Sequence, residues 1–205
     1  MISVPLLSLI NSTNTESQKY RVFSYIIDLI KERKGVWLAG GALRRMIAGE
    51  ELSSDWDFFF QDKESYTYFH DTLLTDKRFK VSTIEDRDKN TTIKLALTEL
   101  DIECEFQLIN FNYYNHLFDV INSFDYGICM FATDGIIIDY GDKSMDDLRD
   151  KILSINIITY PISSMRRLLK YSKQGYWIKG TEIHNLLLQC KDVTVESLNE
   201  EISGS

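Results

Sequence analysis

Leu38-Ala39-Gly40-Gly41-Ala42-Leu43-Arg44-Arg45 and, one polar turn later, Ser53-Ser54-Asp55-Trp56-Asp57-Phe58-Phe59-Phe60 are the segments from which the fold is read. Val36 opens a short apolar strand over 36–39. Gly40-Gly41 then turns the chain into a short helix over 42–48, which Gly49 ends. Paired glycines let the backbone turn sharply and approach a ligand closely. The helix points its free N–H groups back at that turn, an end that favours phosphate. Arg44, one turn in, can offer a fork of donors to the same anion. The Phe-rich run over 55–60 reads as a strand. On it Asp55 and Asp57 are two apart and project from one face, while Trp56, Phe58 and Phe60 project from the other. Carboxylates so placed lie roughly 6–7 Å apart and repel by about 2–3 kcal/mol at an effective dielectric of about 20. A divalent cation relieves that repulsion, and oxygen ligands of this kind suit Mg²⁺ or Mn²⁺.

Two-metal phosphoryl transfer calls for a third carboxylate on a neighbouring strand. A strand over 102–110 offers it. Ile102, Cys104, Phe106 and Leu108 alternate with Glu103, Glu105 and Gln107. Glu105 is the expected third ligand and Glu103 the alternative. In such a site one metal holds a triphosphate, the other lowers the pKa of an attacking hydroxyl, and pyrophosphate leaves in line. Asp-x-Asp with a metal also serves glycosyl transfer. The combination with Gly-Gly, an arginine-bearing helix and a later acidic strand points to nucleotidyl transfer instead.

Around this segment the pattern predicts helices over 15–33, 64–74 and 113–121. Strands are predicted over 79–84, 91–97, 126–132 and 136–140, the last two around the turn Thr133-Asp134-Gly135. Helices follow over 145–151, 162–173 and 179–189, with a frayed tail over 196–205. The expected class is α+β. A mixed, antiparallel-leaning sheet with flanking helices occupies 1–143, and an all-helical, neck-like segment occupies 144–205.

The chain has 205 residues, 44% hydrophobic and 26% charged, close to the average for globular domains, which excludes disordered and fibrous classes. No run of apolar residues is long enough for a membrane span, and the apolar start lacks the basic flank of a signal peptide. Cys104, Cys129 and Cys190 are widely spaced and read as buried free thiols of a reducing compartment, the cytoplasm. A net charge of −8 excludes nucleic-acid binding by bulk field. The charge is uneven, however. Residues 151–180 carry Lys151, Arg166, Arg167, Lys170, Lys173 and Lys179 and no acid, a local face that RNA could use.

The two quoted segments resemble the head domain of polymerase-β-type nucleotidyltransferases, and more narrowly that of class II tRNA CCA-adding enzymes and bacterial poly(A) polymerases. Gly40, Gly41, Arg44, Asp55 and Asp57 match the family's G-G-x-x-R-D and D-x-D, with Arg45 where the family has Asp. Glu105 resembles the family's strand glutamate. Asp125, before Tyr126, stands where the family has R-R-D-F, without the arginines. Residues 161–175 keep the family's proline-to-glycine interval, with Arg166 at an arginine of the first neck helix. The resemblance implies a metal-dependent enzyme moving a nucleoside monophosphate from an NTP, ATP or CTP, to an acceptor hydroxyl, foremost an RNA 3′ end. It implies nucleotide contacts at Gly40, Gly41, Arg44, Asp125 and Arg166. Alternatives are transfer to a protein or small molecule, or a non-catalytic nucleotide-binding derivative. A protein partner or a homo-oligomer is compatible with the short neck.

Overall fold

The Phe run becomes an inner strand of the sheet because both of its faces are covered. In a computed structural model, which describes residues 1–10, 18–31, 33–50 and 55–195, the elements in chain order are β1 (Ile2–Pro5), α1 (Gln18–Lys31), β2 (Val36–Ala39), α2 (Gly41–Ala48), β3 (Trp56–Phe60), α3 (Lys63–Thr75), β4 (Phe79–Asp86), β5 (Asn90–Leu97), β6 (Ile102–Ile109), α4 (Leu117–Asn122), β7 (Phe131–Thr133), β8 (Ile137–Tyr140), α5 (Ser144–Asp150), α6 (Pro161–Lys173) and α7 (Gly180–Lys191). The strands form one eight-stranded sheet in the order β1-β8-β7-β2-β3-β6-β5-β4. β3 and β6 pair in parallel, with Asp57 beside Gln107. The other pairs are antiparallel, including β2 with β3, where Ala39 lies beside Asp57. The class is α+β with a mixed sheet, as the alternation of patterns implied.

One face of the sheet carries the main core. Trp56, Phe58, Phe60, Phe106 and Leu108 meet Phe23, Ile26 and Ile30 of α1 and Phe69 and Leu73 of α3 there. The period-two reading of β3 and the helical spacing of α1 thus both hold. That core continues without a break into Leu168, Tyr171, Tyr176 and Leu186 of the C-terminal helical segment. The opposite face carries a smaller cluster of Trp37, Ala39, Phe59, Tyr114, Leu117, Val120 and Ile121. Because Asp55 and Asp57 share a face with Phe59, they sit where this smaller cluster ends and solvent begins.

Three local expectations are corrected. The helix over 113–121 shrinks to α4, because the Tyr114 N–H donates to Phe60 O at 3.0 Å and the His116 N–H to Asp119 Oδ2 at 3.1 Å, which starts the helix later. The strand over 126–132 survives only as β7. Before it, Gly127–Cys129 makes a 3₁₀ turn, and Tyr126 is drawn away to donate from its hydroxyl to Ser164 O at 2.8 Å. β1 was not anticipated. It is an edge strand on β8, where Pro5 is tolerated because no inward ladder bond is asked of it. The predicted turn over 51–54, the first residues of the 15–33 helix and the frayed tail lie outside the described residues. Of the three thiols only Cys129 is fully buried, Cys104 and Cys190 being partly so, and burial pushes the Cys129 thiol up to about 11, leaving it unreactive. Among the described residues no helix is long and apolar enough to cross a membrane.

Candidate active site

Asp57 is half-buried in mid-sheet, flanked in register by Ala39 and Gln107. Behind it lies Gly40, the residue before α2, with φ 80° and ψ −136°. A Cβ at Gly40 would stand 3.4 Å from Asp57 Oδ2 and 3.5 Å from the Phe124 ring. The turn therefore needs glycine for its backbone angles and passes within contact of the carboxylate. The first intrahelical bond of α2 runs from Arg44 N to Gly40 O at 3.1 Å. The amides before Arg44 belong to the first turn, where no intrahelical acceptor exists. Gly40→Ala is expected to cost about 1–3 kcal/mol from backbone strain alone, read as a lowered melting temperature.

The Asp57 carboxyl is pushed up to about 7, first by burial and then by the neighbouring Asp55, while Lys170 and Arg167 pull it the other way. Those two cations come from α6, which brings their charge within electrostatic range of Asp57. Asp55 is exposed and accepts a bond from Gln107 Nε2 at 2.8 Å.

The structure redistributes the remaining expected site residues. Glu105 and Glu103 lie on the expected face of β6. Glu105, however, is opposite Lys94 and pairs with its Nζ at 3.7 Å, while Glu103 is exposed beside Ala96. Among the described residues no three His, Cys, Asp or Glu side chains converge as a metal group. Gln107 is the side chain that meets Asp55, and sequence reasoning passed over it. It shares the alternating face of Glu105, but its proximity depends on the register between β3 and β6, which no local pattern encodes.

Arg44, expected to offer its donors to an anion, is engaged within the protein. It is 2% exposed, and its guanidinium donates to Tyr176 OH and Gln174 Oε1, both at 3.1 Å. It also lies 5.5 and 5.4 Å from the Tyr171 and Tyr176 ring centroids and 3.7 Å from Glu50. Its donors thus tie α2 to the C-terminal helices. Asp125 is buried and accepts from Ser164 Oγ at 2.9 Å and from Arg167 Nη1 at 2.8 Å. It fastens α6 to the bend after α4 and holds the guanidinium whose charge acts on Asp57. Arg167, next along the helix from the expected Arg166, is the arginine that pairs with Asp125.

The carboxylate pair fits a divalent cation. One acid is held above its ordinary range by burial and by its neighbour, and both are oxygen donors on one face. A strand–Gly-Gly–helix turn beside an Asp-x-Asp strand, on a mixed sheet followed by helices, defines a polymerase-β-type nucleotidyltransferase fold. Solved structures agree. A CCA-adding enzyme in its apo form aligns with a TM-score of 0.65 at 16% identity, over 98% of this chain and 50% of that one. The Thermotoga maritima CCA-adding enzyme complexed with tRNA aligns at 0.62 and 16%, and a CCA-adding enzyme complex with CTP at 0.64 and 16%, each over 98% of this chain and 50% of the other. A family model described as Gabija anti-defense 2 family protein matches residues 10–151, and the chain belongs to that family. Gabija anti-defense 2 of Bacillus phage SPbetaL7 is 22% identical over 199 residues, covering 91% of this chain and 46% of the phage protein. The chain thus spans less than half the length of that curated relative.

Proposed function

We infer that the chain is a metal-dependent nucleotidyltransferase that moves a nucleoside monophosphate from an NTP to an acceptor hydroxyl and releases pyrophosphate. The observation that carries this reading is Asp57, held above its ordinary carboxylate range beside Asp55, backed by Gly40 and faced by Arg167 and Lys170. Asp55 and Asp57 would hold Mg²⁺ or Mn²⁺, which supplies positive charge to the transferring phosphoryl group. The amides at Gly41 and the start of α2 would take a phosphate. Arg167 and Lys170 would neutralise the charge that gathers on the leaving pyrophosphate, and Asp125 would keep Arg167 aimed. In this reading 1–143 is the catalytic head and 144–205 a neck-like segment. The buried Cys129 thiol fits work in a reducing compartment such as the cytoplasm.

For the acceptor, the fold shared with a tRNA-bound enzyme and the basic 151–180 face support an RNA 3′ end. Membership of an anti-defense family supports a second reading, transfer onto a protein of the defence machinery. Protein incubated with Mn²⁺ and NTPs labelled at the α-phosphate, together with RNA and cell extract, separates the two. Label in RNA supports the first and label in protein the second. Neither label nor NTP binding would sink the enzymatic reading. Arg167→Ala is expected to weaken NTP binding about tenfold, the loss of roughly 1.4 kcal/mol from one charge-assisted contact, as read by calorimetry.

A further inference from the structure

We propose that Gln107 is the third side chain of the Asp55–Asp57 site, a positioning residue that adapts the site to one divalent cation rather than two. This rests on the metal-dependent reading above. On β3, Asp57 has Ala39 on one side and Gln107 on the other, so neither sheet neighbour brings a charge. The Gln107 amide is fixed at both ends. Asn90 Nδ2 donates to its Oε1 at 3.4 Å, and its Nε2 donates to Asp55 Oδ2 at 2.8 Å. These two bonds also assign the amide's orientation, since the opposite flip would set donor against donor at Asn90 and acceptor against acceptor at Asp55. Asn90, Gln107 and Asp55 thus form a relay from β5 across β6 to the residue that precedes β3.

A side chain so engaged presents an N–H to the site, and an N–H donor does not ligate a cation. It does hold the Asp55 carboxylate in a fixed direction, as outer partners of metal ligands do. The glutamate expected to ligate instead, Glu105, is paired with Lys94 at 3.7 Å. Two carboxylates carry enough charge for one divalent cation together with water and a substrate phosphate. A second cation at the spacing of about 3.5–4 Å found in two-metal sites would need a further anionic ligand.

The test counts Mn²⁺ on the full chain by electron paramagnetic resonance and calorimetry, scoring only binding that Asp57→Asn removes. The expected result is one Mn²⁺ per chain. Gln107→Leu, which keeps bulk but not the donor, should weaken that ion by about 10–100-fold. Gln107→Glu, which keeps the shape should the leucine variant fold poorly, should admit a second Mn²⁺ or tighten the first at least tenfold. A merely structural glutamine gives no such gain. Two Mn²⁺ on the wild type, one of them lost in Glu105→Gln, would overturn the proposal while leaving the metal-dependent reading intact. So would a Gln107→Glu variant unchanged in both count and affinity. Absence of any Asp57-dependent Mn²⁺ would overturn both.

Discussion

Asp57→Asn is expected to lower nucleotidyl transfer by at least about 10³-fold and, at the same time, to stabilise the metal-free protein above neutral pH. The two effects have one cause. Asp57 is half-buried beside Asp55, and its carboxyl is raised to about 7 from an ordinary value of 3.8. A carboxyl that holds its proton more tightly folded than unfolded opposes folding once it must ionise. The penalty is absent below about pH 4, grows as pH rises towards 7, and stays constant above. Discounted for the part of the group that water reaches, it amounts to about 2 kcal/mol, or roughly 4–8 °C in melting temperature for a chain of this size. Asparagine cannot ionise and escapes it. Melts at pH 5 and pH 8 should therefore converge in Asp57→Asn relative to the wild type. Mn²⁺ should raise the wild-type melting temperature more at pH 8 than at pH 5, because metal must displace the proton. It should leave the variant unmoved.

The second large effect concerns Arg44, and it is one of stability rather than of nucleotide affinity. Arg44→Ala removes a buried guanidinium from between Tyr171 and Tyr176, leaves Gln174 Oε1 without that donor, and leaves Tyr176 OH with the longer bond from Lys151 Nζ at 3.4 Å. Glu50 keeps Lys151 at 2.8 Å, which limits the damage at that end. Breaking a buried charged network from one side costs about 3–5 kcal/mol, and the melting temperature should fall by roughly 10 °C or more. Arg44→Lys keeps the charge but loses the fork and the ring stacking, and should recover part of the loss. Per folded molecule, both variants should bind NTP as the wild type does. A lysine variant of normal stability with selectively weakened NTP binding would restore Arg44 to the triphosphate.

The contrast between Arg44 and Asp57 marks how far local pattern carried. Trp56, Phe58 and Phe60 alternate with Asp55 and Asp57, and a period of two leaves no freedom about which set is buried. The β3 faces were therefore legible, as was the Gly-Gly turn into α2. A lone arginine one turn into a short helix has no such constraint. Its direction is decided by Tyr171, Gln174 and Tyr176, which are far away in sequence. Gln107 was illegible for a related reason. Alternation put it on the right face, but only the register of β6 against β3 says which residue of that face meets Asp55. Asp125 was singled out through its resemblance to a motif, but its ion pair with Arg167 was not legible, because a helix rotates neighbours by about 100° and only the fold says which side chain of α6 meets Asp125.

Nucleotidyl transfer at the Asp55–Asp57 face leaves a signature in where each phosphate goes. The most direct measurement compares NTP labelled at the α-phosphate with NTP labelled at the γ-phosphate, in Mn²⁺ or Mg²⁺, using the wild-type chain and an Asp55→Asn/Asp57→Asn double variant. Transfer of a nucleoside monophosphate predicts α-label in the acceptor, γ-label in free pyrophosphate, and neither with the double variant. Label from the γ-phosphate in the acceptor, or equal α-label with the double variant, would contradict the account.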